Sequence, residues 1–128
     1  MAARSSLLRA LTLLHSLHPN VNVHHILAFL HAAEGEGQTI GDIAQAAGFT
    51  QSTTSRSLRA NGLSECGWAI YPALGLLEAR LADWDARSHQ IFLSGQGRAL
   101  CDRLDGIARE ARTLREPASP FSRAGRAD

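Results

Sequence analysis

The stretch that most constrains this chain is Thr39 to Asn61, TIGDIAQAAGFTQSTTSRSLRAN, because it holds two helix starts around a single glycine. Thr39 is suited to cap a first helix, its side-chain oxygen accepting an otherwise orphaned backbone N–H. Asp42, three residues on, puts a carboxylate at the positive helix start. Ile40, Ile43, Ala44 and Ala47 recur at helical spacing and make one apolar face. Gly48 supplies the turn, since glycine reaches a left-handed conformation without steric cost. Phe49 and Thr50 reopen the chain as an apolar staple and a second cap. From Gln51 to Ala60 the only large apolar residue is Leu58, with the Thr54 methyl one turn before it. Such a helix buries a narrow stripe and turns hydroxyls, an amide and guanidinium groups outward.

Those are the groups that recognise phosphate oxygens and base edges. Two short helices around a glycine turn form a helix-turn-helix, whose second helix enters the major groove of DNA. The same pattern also fits an ordinary helical hairpin with a solvated polar side, so the rest of the chain has to decide. The net charge of +1 argues against strong non-specific binding to a polyanion, not against a local basic face. All thirteen basic residues are Arg. Arg is the better bidentate partner for phosphate and guanine, although an Arg- and Ala-rich chain also reflects a GC-rich genome.

At 128 residues a single domain over residues 1–116 is expected, followed by a disordered tail at 117–128 containing Pro117, Pro120 and Gly125. Few aromatics favour helices packed through Leu and Ala. Residues 4–17 carry Leu7, Leu8, Leu11, Leu14 and Leu17 on a broad apolar helix face that belongs in this chain's core or in a partner's. Pro19 and Asn20 break it, and Val21 to Ala33 follows as a second helix with Val23, Ile26, Leu27, Phe29 and Leu30 inward. Glu34 to Gln38 is a polar loop. The passage 63–74 has no clear period and is read as a linker packing Trp68, Ile70 and Tyr71 onto the core. Leu77, Ala79 and Leu81, then His89, Ile91 and Leu93, alternate with their neighbours around a polar tip at Asp83–Arg87. This predicts a β-hairpin with a loop longer than two residues. Ser94 and Gly95 open a last helix, through about Leu114, with Leu100, Leu104, Ile107, Ala108, Ala111 and Leu114 on its apolar face.

Helices, a helix-turn-helix, a hairpin and a long helix follow one another as in a winged helix, and here the sequence resembles the MarR family of bacterial transcription regulators. The resemblance spans about His18 to Leu104. It rests on TIGDIAQAAGFTQSTTSRSL, with Thr53, Ser55 and Arg56 at the centre of the second helix. It rests also on GLLEARLADWDARSHQIFLSGQGRAL, where Asp83, Asp85, Arg87, Ser94, Gly97, Arg98 and Leu100 match the family's wing and the helix that follows. The short form and the His-Pro-Asn lead-in at residues 18–20 look most like MarR-type proteins of phages and plasmids. Asn61 stands where the family usually has Leu, Ser88 where it usually has a second wing arginine, and Leu63–Leu74 has no counterpart in ordinary members.

The resemblance implies a mainly α-helical fold with a small β-hairpin wing, a winged helix-turn-helix with flanking dimerisation helices. It implies a homodimer that sets two recognition helices in successive major grooves of a pseudo-palindrome. Leu7, Leu11 and Leu14, with Leu104, Ile107, Ala111 and Leu114, are the expected dimerisation residues. Gln51, Ser52 and Thr53 are expected nearest the base edges, with Ser55, Arg56 and Arg59 following, and Thr39 and Ser88 beside them. Arg56 suits a guanine, a phosphate or an ion pair with a residue such as Asp42. Arg87 suits the minor groove or its backbone, or a pair with Asp83 or Asp85.

Function is thereby expected to be sequence-specific binding of double-stranded DNA and repression by occlusion of a promoter, with an unknown small-molecule effector a further possible partner. The rival is a winged helix used for protein interaction, as an anti-repressor or mobile-element accessory factor. No cofactor or metal is expected. Cys66 and Cys101 lack metal-motif spacing and are expected as reduced thiols, and His15, His18, His24, His25 and His31 form no zinc motif. No nucleophile arrangement, phosphate loop or dinucleotide fingerprint points to an enzyme. Without a signal peptide or a bilayer-length apolar run, the expected place is the bacterial cytoplasm, at the nucleoid and away from membranes.

Overall fold

A computed structural model describes residues 4–82 and 85–115, without the side chains of 82 and 85–87. The tail expected at 117–128, Asp83, and the side chains of Asp85 and Arg87 lie outside the described part. The described chain runs α1 (Ser6–His15), α2 (Val23–Glu34), β1 (Gln38–Thr39), α3 (Ile40–Ala47), α4 (Gln51–Arg59), β2 (Leu77–Ala82), β3 (Asp85–Leu93) and α5 (Gly95–Arg109). None of these helices is long and apolar enough to cross a membrane.

The sheet is antiparallel with order β1-β3-β2. Its first strand was not foreseen. Gly37, at φ 94°, turns the polar loop so that its N–H donates to the Ile91 carbonyl at 2.8 Å, and Gln38 and Thr39 then pair with Ile91 and Gln90. The hairpin keeps the expected alternation: Leu77, Ile91 and Leu93 are buried and Glu78 faces Phe92 across the strands. Its tip differs. Leu81 pairs with His89, but Ala82 pairs with Asp85, so the register jumps and β3 begins inside what the sequence suggested was loop. A bulge of this kind absorbs extra residues on one strand and increases twist. Leu81, beyond the reach of the core, is 56% exposed.

One core joins all the helices to the sheet, built on Leu14, Phe29, Ile43, Leu58, Leu77, Ile91 and Leu100. In α2 the buried stripe is Ala28, Phe29 and Ala32, while Val23 and Leu27 are exposed, contrary to the expected inward face. Small alanines let α2 lie close to the core; Phe29 is buried as expected and Ile26 and Leu30 pack against the core's edge, so only Val23 and Leu27 stay outside it. The α5 start approaches the sheet closely too: a Cβ on Gly97 would sit 2.1 Å from the Leu76 carbonyl oxygen, which only glycine avoids. Ser94 locks this junction, accepting from Gly97 N–H at 3.0 Å and donating to the Gly75 carbonyl at 2.6 Å.

The outer helices depart most from expectation. Leu14 of α1 is buried in this chain's own core rather than left for a partner. Helix α5 ends at Arg109, not Leu114. Ala111 takes a left-handed conformation at φ 51°, and the reversed chain returns Arg112 to the start of α1. There Ser6 N–H donates to the Arg112 carbonyl at 2.9 Å and Arg112 N–H donates to Ser6 Oγ at 3.0 Å. These bonds, with an Arg9–Glu110 ion pair, offset the strain of a left-handed alanine. Ala111 and Leu114 therefore do not extend an apolar helix face; Leu114 is 69% exposed on a non-helical segment.

Candidate nucleic-acid interface

The two helices of the helix-turn-helix are fixed locally before packing begins. Thr39 Oγ1 accepts from Asp42 N–H at 3.1 Å while Asp42 Oδ2 accepts from Thr39 N–H at 3.1 Å, a reciprocal capping box. Gly48 closes α3 at φ 74°, and its N–H donates to the Ala44 carbonyl. Thr50 then caps α4, accepting from Thr53 N–H at 3.1 Å. Leu58, Thr54 and Ser57 are the buried side chains of α4, which leaves the rest of a strongly polar helix outside.

Asn61 anchors the far end of α4. It is fully buried, and its Nδ2 donates to the Ser57 carbonyl at 2.8 Å and to the His25 carbonyl at 3.1 Å. Its own carbonyl accepts from the backbone N–H groups of Leu76 and Leu77. The side-chain amide thus clips the end of α4 to α2, and the backbone carbonyl ties the same residue to the first sheet residues; a leucine would keep the carbonyl's bonds but could make neither of those donated by Nδ2. Among the described residues its Oδ1 has no partner, a residual cost of about 1–3 kcal/mol set against the rest. Periodicity marks Asn61 only as an odd residue at a helix end, and nothing in the pattern reveals the clip.

Among the expected contact residues, Gln51, Ser52 and Arg56 are exposed, and Thr53 and Ser55 are partly so. Thr39, Gln51 and Ser88 line one concavity of about 290 Å³ with Ile40, Gly41 and His89. The starts of α3 and α4 and the base of the wing therefore meet at one place, and His89 joins them although the sequence singled it out only as a strand residue. Among the described residues the Arg56 guanidinium makes no hydrogen bond or ion pair, so the suggested Asp42 pair is absent; the Asp42 carboxylate serves the capping box.

Arg59 departs from the expected set. It is half-buried and its Nε donates to the Trp68 carbonyl at 2.8 Å, so it stitches the 63–74 segment to α4. That segment is held further by Ile70 N–H on the Arg59 carbonyl and Leu74 N–H on the Ala60 carbonyl. Trp68 packs against the core as expected, but Tyr71 is 69% exposed. Its hydroxyl accepts from Asn20 Nδ2 at 2.6 Å, and the His18 ring meets its ring edge-on at 5.3 Å between centroids. A second notch, of about 350 Å³, lies between α2, α4 and this segment, lined by Asn22, His24, His25, Thr53, Arg56, Ser57, Ala60, Ile70 and Tyr71.

Among the described residues, two titrating groups depart from their ordinary behaviour. Burial, with His24 and His18 nearby, pushes the His25 imidazole below its usual range. This suits its bond: His25 Nδ1 accepts from Asn22 N–H at 3.3 Å, which a protonated ring could not do. Burial raises the Cys101 thiol, helped by Asp105, Asp102 and Glu36, and holds it protonated rather than nucleophilic. Both cysteines are free thiols, and among the described residues no three His, Cys, Asp or Glu side chains converge as metal ligands.

No family model matches the sequence, and neither does any curated protein. Solved structures do. A MarR family transcriptional regulator from Silicibacter pomeroyi superposes with a TM-score of 0.55 at 24% identity, covering 95% of this chain and 77% of its own. A MarR transcriptional regulator from Methanosarcina mazei Go1 gives 0.56 at 16% identity, over 71% of this chain. This chain spans only 58% of the length of that protein. The chain has the MarR-type winged-helix fold. Bordetella bronchiseptica BpsR, whose DNA binding is regulated by 6-hydroxynicotinic acid, shares this MarR-type fold at 15% identity and a TM-score of 0.55, over 95% of this chain and 87% of its own.

Proposed function

We propose that this protein is a sequence-specific regulator of transcription that binds duplex DNA as a homodimer and represses by occluding a promoter. The observation that carries the reading is α4, a capped and anchored helix whose outward side is almost wholly polar, flanked by Thr39 and Ser88 in one concavity. Gln51 and Ser52, at its exposed start, are placed to meet base edges, with Thr53 and Ser55 beside them. The wing's Arg87 extends the contact to the backbone or minor groove. No chemical step is required.

Dimerisation is carried by Leu7 and Leu11, which are 56% and 47% exposed on α1, together with Leu8 and the partly buried Leu104 and Ile107 of α5. Exposed leucines clustered on an outer helix mark an association surface. A small-molecule effector of the kind that acts on BpsR would shift the population between DNA-competent and incompetent dimers.

The test is a salt-controlled titration of duplex from upstream of the protein's own gene against random duplex, with wild type, Gln51→Ala and Arg87→Ala. Selective binding that loses selectivity in Gln51→Ala supports the reading. Binding that is equally weak to both duplexes, with no sequence recovered by in vitro selection, contradicts it and favours a winged helix that recognises protein.

A further inference from the structure

We infer that residues 63–74 complete an anion site on the flank of α4, and that this site takes a phosphate of the DNA backbone through Arg56. The inference rests on the DNA-binding reading above. The site is the notch of about 350 Å³ between the start of α2, the middle of α4 and the 63–74 segment. No carboxylate is among its described lining residues.

What the notch offers is donors. Arg56 is exposed and uncommitted. His25 Nδ1 is occupied as an acceptor by Asn22 N–H, so the neutral ring carries its proton on Nε2. Asn22 spends its Oδ1 on the His25 N–H at 3.0 Å, which leaves its Nδ2 hydrogens to give. The Tyr71 hydroxyl accepts from Asn20 and keeps its own proton for another partner. The bonds within the site thus use up acceptors and leave N–H and O–H groups facing a common space. The α2 start beside them has no acidic residue in its first turn to oppose a negative guest.

Tyr71 is the polar side chain that the 63–74 segment contributes, beside the apolar Ile70. An aromatic ring this exposed adds little to a core, yet Asn20, His18 and the stitching of Arg59 to Trp68 fix it over the notch. DNA supplies a guest of the right kind. A helix lying in the major groove is walled on its flanks by the phosphate backbone, and Arg56 stands about one turn beyond Gln51 and Ser52, where α4 meets such a wall. Arg56 is therefore assigned a positioning contact, while sequence is read nearer the helix start.

Affinity measured over a salt series, on a selected and on a random duplex, tests this with Arg56→Ala, Tyr71→Phe and Gln51→Ala. Arg56→Ala should reduce the slope of log affinity against log salt by about one per protomer and weaken both duplexes by the same factor. Tyr71→Phe should weaken both by about threefold to tenfold and leave the slope unchanged. Gln51→Ala should instead narrow the ratio between the two duplexes. An Arg56→Ala protein that narrows that ratio with an unchanged slope overturns the inference, because Arg56 then reads a base. A second arm follows the His24 and His25 imidazole resonances during titration with inorganic phosphate against chloride at matched ionic strength. A saturable shift specific to phosphate and lost in Arg56→Ala supports the anion site; no difference between the anions overturns it. A phosphate-specific shift in a protein that binds neither duplex preserves the anion site but contradicts the DNA reading. Selective DNA binding with neither slope change nor phosphate shift contradicts the site alone.

Discussion

Helix α4 has a single leucine in Gln51–Arg59, whereas α1 packs five, Leu7, Leu8, Leu11, Leu13 and Leu14, into Ser6–His15. Yet α4 is the better held of the two. Thr50 caps its start, Thr54, Ser57 and Leu58 are buried, and Asn61 ties its end to α2. Helix α1 buries only Leu14 and leaves Leu7, Leu8 and Leu11 open. The apolar content of a helix measures how much surface has to be covered, not which molecule covers it. A polar helix held by a few buried groups leaves its outward side open to the polar guest proposed for it, and a leucine-rich helix with one buried residue leaves an apolar side open to the second copy proposed above.

Breaking the anchor of α4 should have the largest effect. Leu58→Ala removes a fully buried side chain and is expected to cost about 2–5 kcal/mol in denaturant unfolding, taking selective DNA binding with it. Removing Leu7 and Leu11 should do the opposite. The double alanine variant is expected to leave the unfolding of the isolated chain within about 0.5 kcal/mol of wild type. In sedimentation equilibrium it should raise the dimer dissociation constant by about tenfold or more. If it unfolds the chain and leaves association untouched, these leucines belong to the fold and the comparison fails.

The clip at Asn61 is the sharper probe of how a polar helix is held. Asn61→Ala should cost about 1–3 kcal/mol, whereas an equal or higher midpoint would mean the orphaned Oδ1 outweighs the two donated bonds. Thr39→Ala should cost about 1 kcal/mol through the lost capping box, and Thr39→Ser should restore it. The smallest effect is that of pH on His25. The fold favours its neutral ring, so below the ordinary value of 6.5 the unfolded chain binds a proton first. Stability from this group is complete above that value and is lost as pH falls through it toward the lowered folded value. His25→Gln should flatten that part of a stability–pH curve; an unchanged curve would place the dependence on another histidine.

Much of this was legible in the residues because it is local. Thr39, Asp42, Gly48 and Thr50 declare caps and a turn through chemistry confined to a few neighbours, and the alternation around Ile91 declares a strand. What escaped depends on distant partners. The pairing of Gln38 and Thr39 with β3 needs the hairpin in place, and the end of α5 at Arg109 follows from a return to Ser6 more than a hundred residues earlier in the chain. The Asn61 clip and the Tyr71 pin are single polar residues acting across elements, and no periodicity carries that kind of signal. In the interface the sequence marked the exposed face of α4, but it also marked Arg59, which the structure uses to hold Trp68.

Selection from a random duplex library with the full chain, followed by measurement of the stoichiometry on the recovered sequence, tests the central claim most directly. Two copies bound to an inverted repeat, its half-sites about 10–10.5 base pairs apart from centre to centre, is the predicted result. A library that stays random, or a single asymmetric site held by one copy, would contradict it.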